Sequence, residues 1–367
     1  MTPDQKLKGY LRPPGKGIYA VSSGRTLASQ LLKQIYQTAS QSGIQRQWQK
    51  NLQRIKKARI ILIGCPSDNG AGIVRGSNMA PLALRTKLYN IKKFKQWIQT
   101  GQLLDIGDII VIPQLLSDEM LTPFQKQKNR RYLYPKYRDA SLAVSPLSIL
   151  RDVCRMIFAL NPNAKIITLG GDHSVSWPLI QSVYQKSKTP FAVLHIDAHT
   201  DLLQSRLGID HCFGTWAYHA NDLMGRQQRL VQVGIRASGK IKSHWEKHLD
   251  VKQIWAKEIL KNPKRAIAEI LAHLKSLKLD HLYISNDIDG TGREYASATG
   301  TPEPGGPPPQ FFSQLIHAVG KHFNVIGSDL VEVAPVLHLN KKGEPQRTLK
   351  VGCQYTLDMI EAMLMRP

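Results

Sequence analysis

KIITLGGDHS (residues 165–174) and FAVLHIDAHTD (residues 191–201) decide how this chain is read. Each is a short apolar run that ends abruptly in glycine, acid and histidine. Apolar runs of five or six residues with no polar alternation are strands buried on both faces. A third, HLYISNDIDG (281–290), has the same form. Working outward, the pattern predicts strands at 58–64, 103–112, 164–169, 191–196, 229–235, 281–285 and 324–331. Helices are predicted at 146–160, with Ser145 as N-cap and Pro146 at the first helical position, and at 177–187, 266–277, 311–321 and 354–365. Strands alternating with helices give an α/β fold, a three-layer α/β/α arrangement around a mainly parallel sheet. In such sheets ligands bind beyond the carboxyl ends of the strands.

Three polar clusters fall at those ends: GGDHS (170–174), DAHTD (197–201) and NDIDG (286–290). In extended chain, residues i, i+2 and i+4 project to one side, so Asp197, His199 and Asp201 are expected to share a centre with Asp287, Asp289 and His173. One such cluster alone would ordinarily be a solvated turn; three at the ends of three buried strands are not. Four carboxylates packed together need cations, and these clusters contain no Lys or Arg. Oxygen and imidazole donors suit two divalent metal ions, Mn²⁺ first, with Ni²⁺, Co²⁺, Fe²⁺ and Zn²⁺ as competitors.

The 367 residues are 42% hydrophobic and 21% charged, as in a globular protein, and no apolar run reaches the roughly 18 residues of a membrane span. Four scattered cysteines exclude a disulfide scaffold and fit a reducing compartment. The N-terminus lacks an apolar signal core, so a cytoplasmic protein is expected; residues 5–67 contain no acid, which leaves organelle targeting as the alternative. Fifty Lys and Arg against 27 Asp and Glu give a formal charge of +23, much of it in residues 1–57 and in QKQKNRRYLYPKYR (125–138). Such charge suits nucleic acid or an anionic surface, but no nucleic-acid-binding motif accompanies it, which favours a solvated basic surface. Residues 1–57 are therefore read as a basic, partly helical arm: irregular to residue 24, then two helices broken at Gly43. Residues 58–367 are expected to form the metal-binding α/β domain. TGTPEPGGPPP (299–309) reads as a shaped loop.

GGDHS, DAHTD and SNDID, in that order, resemble the metal-binding signatures of the arginase family, which includes arginases, agmatinases and formimidoylglutamases. GCPSDNGAGIVRGSNMAPLALR (64–85), DIGD (105–108), ATGTPEPGG (298–306) and SDLVEVAP (328–335) extend the resemblance over about residues 59–365. It implies an arginase-like fold and two metal ions held by His173, Asp197, His199, Asp201, Asp287 and Asp289. It gives Asp201 a role toward the attacking hydroxide, Glu332 the guanidinium, and Thr301 a place beside the substrate. The implied reaction splits a small guanidino or amidino compound, agmatine-like, into urea and an amine; the implied assembly is a homo-oligomer, trimer or hexamer. Two departures stand out. Phe213 falls where most members carry a proton-shuttling His, leaving His211 or His219 as the substitute shuttle, and His211 also as a tail-binding group. Ile209 and His211 replace the Ser and Asn that hold the α-carboxylate of arginine. An arginase, a formimidoylglutamase-type hydrolase, and a metal-binding member with impaired catalysis and a regulatory role are the alternatives.

Overall fold

Strand residues that alternate between two apolar neighbourhoods build the centre of the molecule. The computed structural model describes residues 2–19, 25–137, 141–187, 189–337 and 343–366. Its strands are β1 (Leu11–Arg12), β2 (Ile60–Gly64), β3 (Leu103–Ile109), β4 (Lys165–Leu169), β5 (Phe191–Ile196), β6 (Leu230–Ile235), β7 (Lys252–Trp255), β8 (His281–Asp287) and β9 (Asn324–Val331). On β2, Ile61 and Ile63 join one core with Val153 and Ile157 of the helix Pro146–Leu160. Ile60 and Leu62 join the other, with Phe312 of Pro309–His322 and Met359 of Gln346–Met365. That is the period of two that a sheet covered on both faces requires.

The strands form one sheet in the order β1-β3-β2-β4-β9-β8-β5-β6-β7, parallel throughout except for β1. Although β4 and β5 follow one another in the chain, β9 and β8 lie between them in the sheet. The carboxyl ends of four neighbouring strands, β4, β9, β8 and β5, thereby open onto one crevice. The predicted three-layer fold is the observed one, with β5 and β9 at their predicted bounds.

Several local expectations are corrected. Residues 1–24 are not irregular throughout: Pro3–Tyr10 is a helix, closed by a capping box between Thr2 and Gln5, and β1 pairs with β3. Residues 20–24 lie outside the described residues. The break in the following helical stretch is not at Gly43. Arg25–Tyr36 ends with Gln37 at φ 53°, and Ser40 caps Gln41–Gln53 by accepting from Gly43 N–H, so Gly43 sits in a first turn. Ser145 occupies the cap position of its helix, but its hydroxyl makes no capping bond. Within residues 1–57, Leu7, Tyr10, Leu32, Trp48, Leu52 and Ile55 are buried in the same core as β2 and β3. Trp48 Nε1 donates to Ile106 O at 2.9 Å. Of the basic stretch 125–138, residues 125–133 lie in the helix Pro123–Leu133, and residue 138 lies outside the described residues. No helix among the described residues is long and apolar enough to cross a membrane.

Candidate metal centre

Backbone direction changes where each strand ends, and this is what gathers the polar side chains. After β4 the chain turns so tightly that a Cβ at Gly171 would lie 1.5 Å from Ser67 O. Asp172 then accepts from Gly70 N–H and Ser174 N–H, which aims His173 across the strand ends. Residues 197–201 are not extended, contrary to the alternation argument: β5 stops at Ile196 and Asp201 takes φ 50°. Glu332, just past β9, takes φ 60°. Left-handed backbone is costly for non-glycine residues and persists only where the surroundings enforce it, most often at functional sites. Asp287 ends β8, and Asp289 follows in a single 3₁₀ turn.

His173 Nδ1 lies 3.1 Å from one carboxylate oxygen each of Asp197, Asp201 and Asp287. Ser285 Oγ donates to the Asp329 carboxylate at 2.8 Å, so it accepts from His173 Nε2 at 3.0 Å. In the neutral ring, Nδ1 is then an unprotonated lone pair, buried and without a hydrogen bond, facing three acceptors. A proton or a metal cation has to lie among these four converging acceptors. A second group adjoins the first through Asp197: His199 Nδ1 lies 3.4 Å from Asp197 Oδ1 and 3.1 Å from Asp289 Oδ2. All six residues expected as metal ligands thus meet in two adjacent donor groups sharing Asp197. Arg236, close by, spends its guanidinium on main-chain carbonyls, among them Asp289, Gly290, Glu303 and Pro304, so it anchors the 299–309 loop without neutralising the carboxylates.

The electrostatics agree. Burial, then Asp289 and Asp197, push Asp287 well above the ordinary carboxylate range. Burial, then Asp197, raise Asp201. Burial opposes charge on His173, yet Asp197, Asp201 and Asp287 raise it well above its usual value. A site that retains protons this strongly is short of positive charge, and the donor set fits divalent metal ions.

Residues beyond those expected hold the donors in place. His195 is grouped with His173, Asp197 and Asp201 by proximity alone. Hydrogen-bond polarity assigns it another role. Trp255 Nε1, which can only donate, gives to Gln253 Oε1; Gln253 Nε2 gives to Gln232 Oε1; Gln232 Nε2 gives to His195 Nδ1. His195 Nε2 therefore carries hydrogen and donates to Asp197 Oδ2 at 2.7 Å, so it orients Asp197 and is no ligand. Trp216 Nε1 likewise donates to Asp201 Oδ2 at 2.9 Å. His195 was findable in the sequence, two residues before Asp197 on the same strand. Gln253 and Trp255 were not, because β7 was not predicted, and Gln232, though on the predicted β6, meets His195 only through the pairing of β5 with β6.

The remaining expected residues divide. Thr301 Oγ1 donates to Asp289 Oδ2 at 3.0 Å, and Glu332 Oε1 accepts from His173 N–H at 2.9 Å, so both belong to the site. His211 is placed apart. Its ring stacks on Trp177 at 5.2 Å and meets His219 at 4.8 Å, with Nε2 3.6 Å from Glu119. Among the described residues, no hydrogen bond or ion pair joins it to the six donors. Phe213 N–H donates to Gly70 O, and its ring lies under the Arg206 guanidinium at 4.9 Å.

The arginase family model matches residues 58–361. The chain is similar to the mitochondrial agmatinase of Gallus gallus, 35% identical over 290 residues, which span 75% of this chain and 73% of that protein. Its fold is similar to that of formimidoylglutamase from Bacillus subtilis subsp. subtilis str. 168, with TM-score 0.66 and 22% identity over 85% of this chain and 88% of the other. Proclavaminate amidino hydrolase from Streptomyces clavuligerus gives TM-score 0.65 and 22% identity over 83% and 91%. A match that runs through every strand end of the crevice leaves one reading: this chain belongs to the arginase family, dinuclear-metal ureohydrolases that act on the C–N bonds of linear amidines.

Proposed function

We propose that this protein is a Mn²⁺-dependent amidinohydrolase of agmatinase type, releasing urea and an amine from a guanidino compound without an α-carboxylate. The observation that carries the reading is the bare His173 Nδ1 among three carboxylates. The similarity to an agmatinase at 35% identity gives the substrate its direction. His173, Asp197, Asp201 and Asp287 would hold one ion, and Asp197, His199 and Asp289 a second. Two divalent ions there would lower the pKa of water enough to make hydroxide available near neutral pH.

The chain's own residues supply the rest. With Oδ2 fixed by Trp216, Asp201 keeps Oδ1 free of hydrogen bonds among the described residues, and this oxygen accepts a hydrogen bond from the attacking water. Glu332 is fixed through Oε1, and its Oε2 pairs with the planar guanidinium. Thr301 holds Asp289 from the shaped loop. Water oxygen bonds to the guanidinium carbon, the bond from that carbon to the alkyl nitrogen breaks, and the leaving amine takes a proton. Phe213 provides no proton there. Glu303, whose Oε1 lies 3.7 Å from His199 Nε2, stands within the same loop and is the group we assign to relay to the amine the proton given up by the attacking water.

A second reading, a family member that binds metal but no longer turns over, is motivated by Phe213. Urea release by Mn²⁺-loaded protein from agmatine, guanidinobutyrate, arginine and guanidine separates the two, with Asp201→Asn as control. Turnover of agmatine or guanidinobutyrate above arginine supports the proposal. Silence on the whole panel, repeated with Ni²⁺, Co²⁺ and Zn²⁺, favours the second reading.

A further inference from the structure

The opposite edge of the sheet carries a second polar cleft, of the reverse charge. It is about 720 Å³ and is lined by Lys56, Lys57, Arg59, Lys165, Lys186 and His281, with three asparagines and no carboxylate among the described residues. Lys165, His281 and Asn324 are the first residues of β4, β8 and β9, so the cleft lies at the amino ends of the strands whose carboxyl ends build the metal centre.

Part of this charge has a structural explanation. Lys165 Nζ donates to Met363 O, Arg366 O and Asn324 Oδ1, and Arg59 Nη2 donates to Leu364 O and Arg366 O. These two cations satisfy the last carbonyls of the helix Gln346–Met365, where the helix dipole is negative. That account does not extend to Lys56, Lys57 or Lys186. Lys56 and Lys57 are exposed at the end of the basic arm, and Lys186 Nζ lies 5.3 Å from the Phe158 ring centroid. His281 adds a buried Nδ1 with no hydrogen-bond partner. Burial, then Arg59 and Lys186, bring the Lys165 ammonium down to about 8, as expected where like charges gather without counter-ions.

We propose that this cleft binds a phosphorylated small molecule carrying at least two linked phosphates, with Lys56, Lys57 and Lys186 as the principal contacts and Arg59 and His281 beneath them. Cations dispersed around a concavity of this volume match a ligand of diphosphate to nucleotide size, whereas a single phosphate would reach only some of them. The site is separate from the substrate crevice, since the sheet itself lies between them. It also gives the basic arm a local task that the metal centre does not use.

The test is calorimetric titration of the full-length, Mn²⁺-loaded protein with pyrophosphate, ATP and inorganic phosphate, in excess Mg²⁺ and at constant ionic strength. Saturable one-to-one binding with Kd below about 1 mM is expected for pyrophosphate and ATP, and weaker binding for inorganic phosphate. Lys56→Ala/Lys57→Ala/Lys186→Ala should weaken it at least about tenfold. Lys126→Ala/Lys128→Ala/Lys136→Ala, which removes the same charge elsewhere, should leave it within about twofold, because the overall field acts on both alike. Chelation of metal by the ligands is common to wild type and variants and cancels between them. Preference for ATP would identify a nucleotide; equal affinity would identify the diphosphate. No saturation at millimolar ligand, equal loss in both triple variants, or inorganic phosphate binding as tightly as pyrophosphate would each overturn the proposal.

Discussion

Two buried acidic clusters in this molecule meet the same electrostatic problem and resolve it differently. On β3, Asp105 and Asp108 face Arg85, which is fully buried. Its Nε and Nη2 lie 2.8 and 2.9 Å from the two oxygens of Asp105, Nη2 also donates to Gly107 O, and Nη1 pairs with Asp108. The cation there is part of the chain. At the strand ends, Asp197, Asp201, Asp287 and Asp289 have no Lys or Arg ion-pair partner among the described residues. A buried carboxylate pair with its own guanidinium is architecture, whereas a buried carboxylate group without one is a socket for a cation from solution. The comparison separates two kinds of acidic motif, DIGD and DAHTD, that look alike as strings.

The sharpest way to break it is Asp287→Asn. Urea release should fall about 10³-fold or more, because a donor is lost. Metal-free stability should hold or rise, because like-charge repulsion is relieved. A thermal melt in chelator that fell sharply would show Asp287 to be architectural after all. Arg85→Met should do the reverse. Leaving Asp105 and Asp108 buried and unpaired should cost about 3–5 kcal/mol in denaturant unfolding, with or without metal. Metal dependence itself gives the next contrast. Adding Mn²⁺ at one hundred times its Kd to chelator-stripped wild type should recover about 2.7 kcal/mol, and Asp287→Asn should recover markedly less.

Smaller effects sharpen the picture. Trp255→Phe removes the donor that sets the polarity of the relay to His195. Metal affinity should weaken about tenfold while metal-free stability changes little; competition with a metal-sensitive dye would measure it. The smallest effect concerns His211. Burial, then His219, hold its pKa below the ordinary value of about 6.5. Its contribution to stability is therefore present above about pH 6.5 and is lost as pH falls through the lowered value. His211→Gln should flatten the loss of thermal stability between pH 7 and 5. Its effect on kcat should be slight, since the ring lies against Trp177 and outside the donor groups.

Much of this was legible in the order of residues. Buried parallel strands advertise themselves as apolar runs, and β5 and β9 matched their predicted limits because an acid, Asp197 or Glu332, follows each at once. β7 was missed, since KQIW is short, half-exposed at its ends and at the edge of the sheet. Helices at Ala80–Leu88, Lys92–Gln99 and Trp216–Leu223 were also missed, being only two turns each. The six residues expected as ligands do meet at the strand ends, but a change of backbone direction after Ile196, rather than extended alternation, brings Asp197, His199 and Asp201 together.

The sequence by itself determined the chemistry available: four acids and two imidazoles at the ends of buried strands, with no lysine or arginine among them to neutralise them. Only the tertiary structure decided which atoms meet. A strand order that inserts β9 and β8 between β4 and β5 brings residues 173 and 332 together, and left-handed turns at Asp201 and Glu332 aim their carboxylates. The tertiary structure also separated ligand from support, because a ring nitrogen's role depends on the hydrogen bond made by the other nitrogen. For His173 and His195 the partners in those bonds are Ser285, which accepts, and Gln232, which donates, both remote in sequence and fixed only by packing.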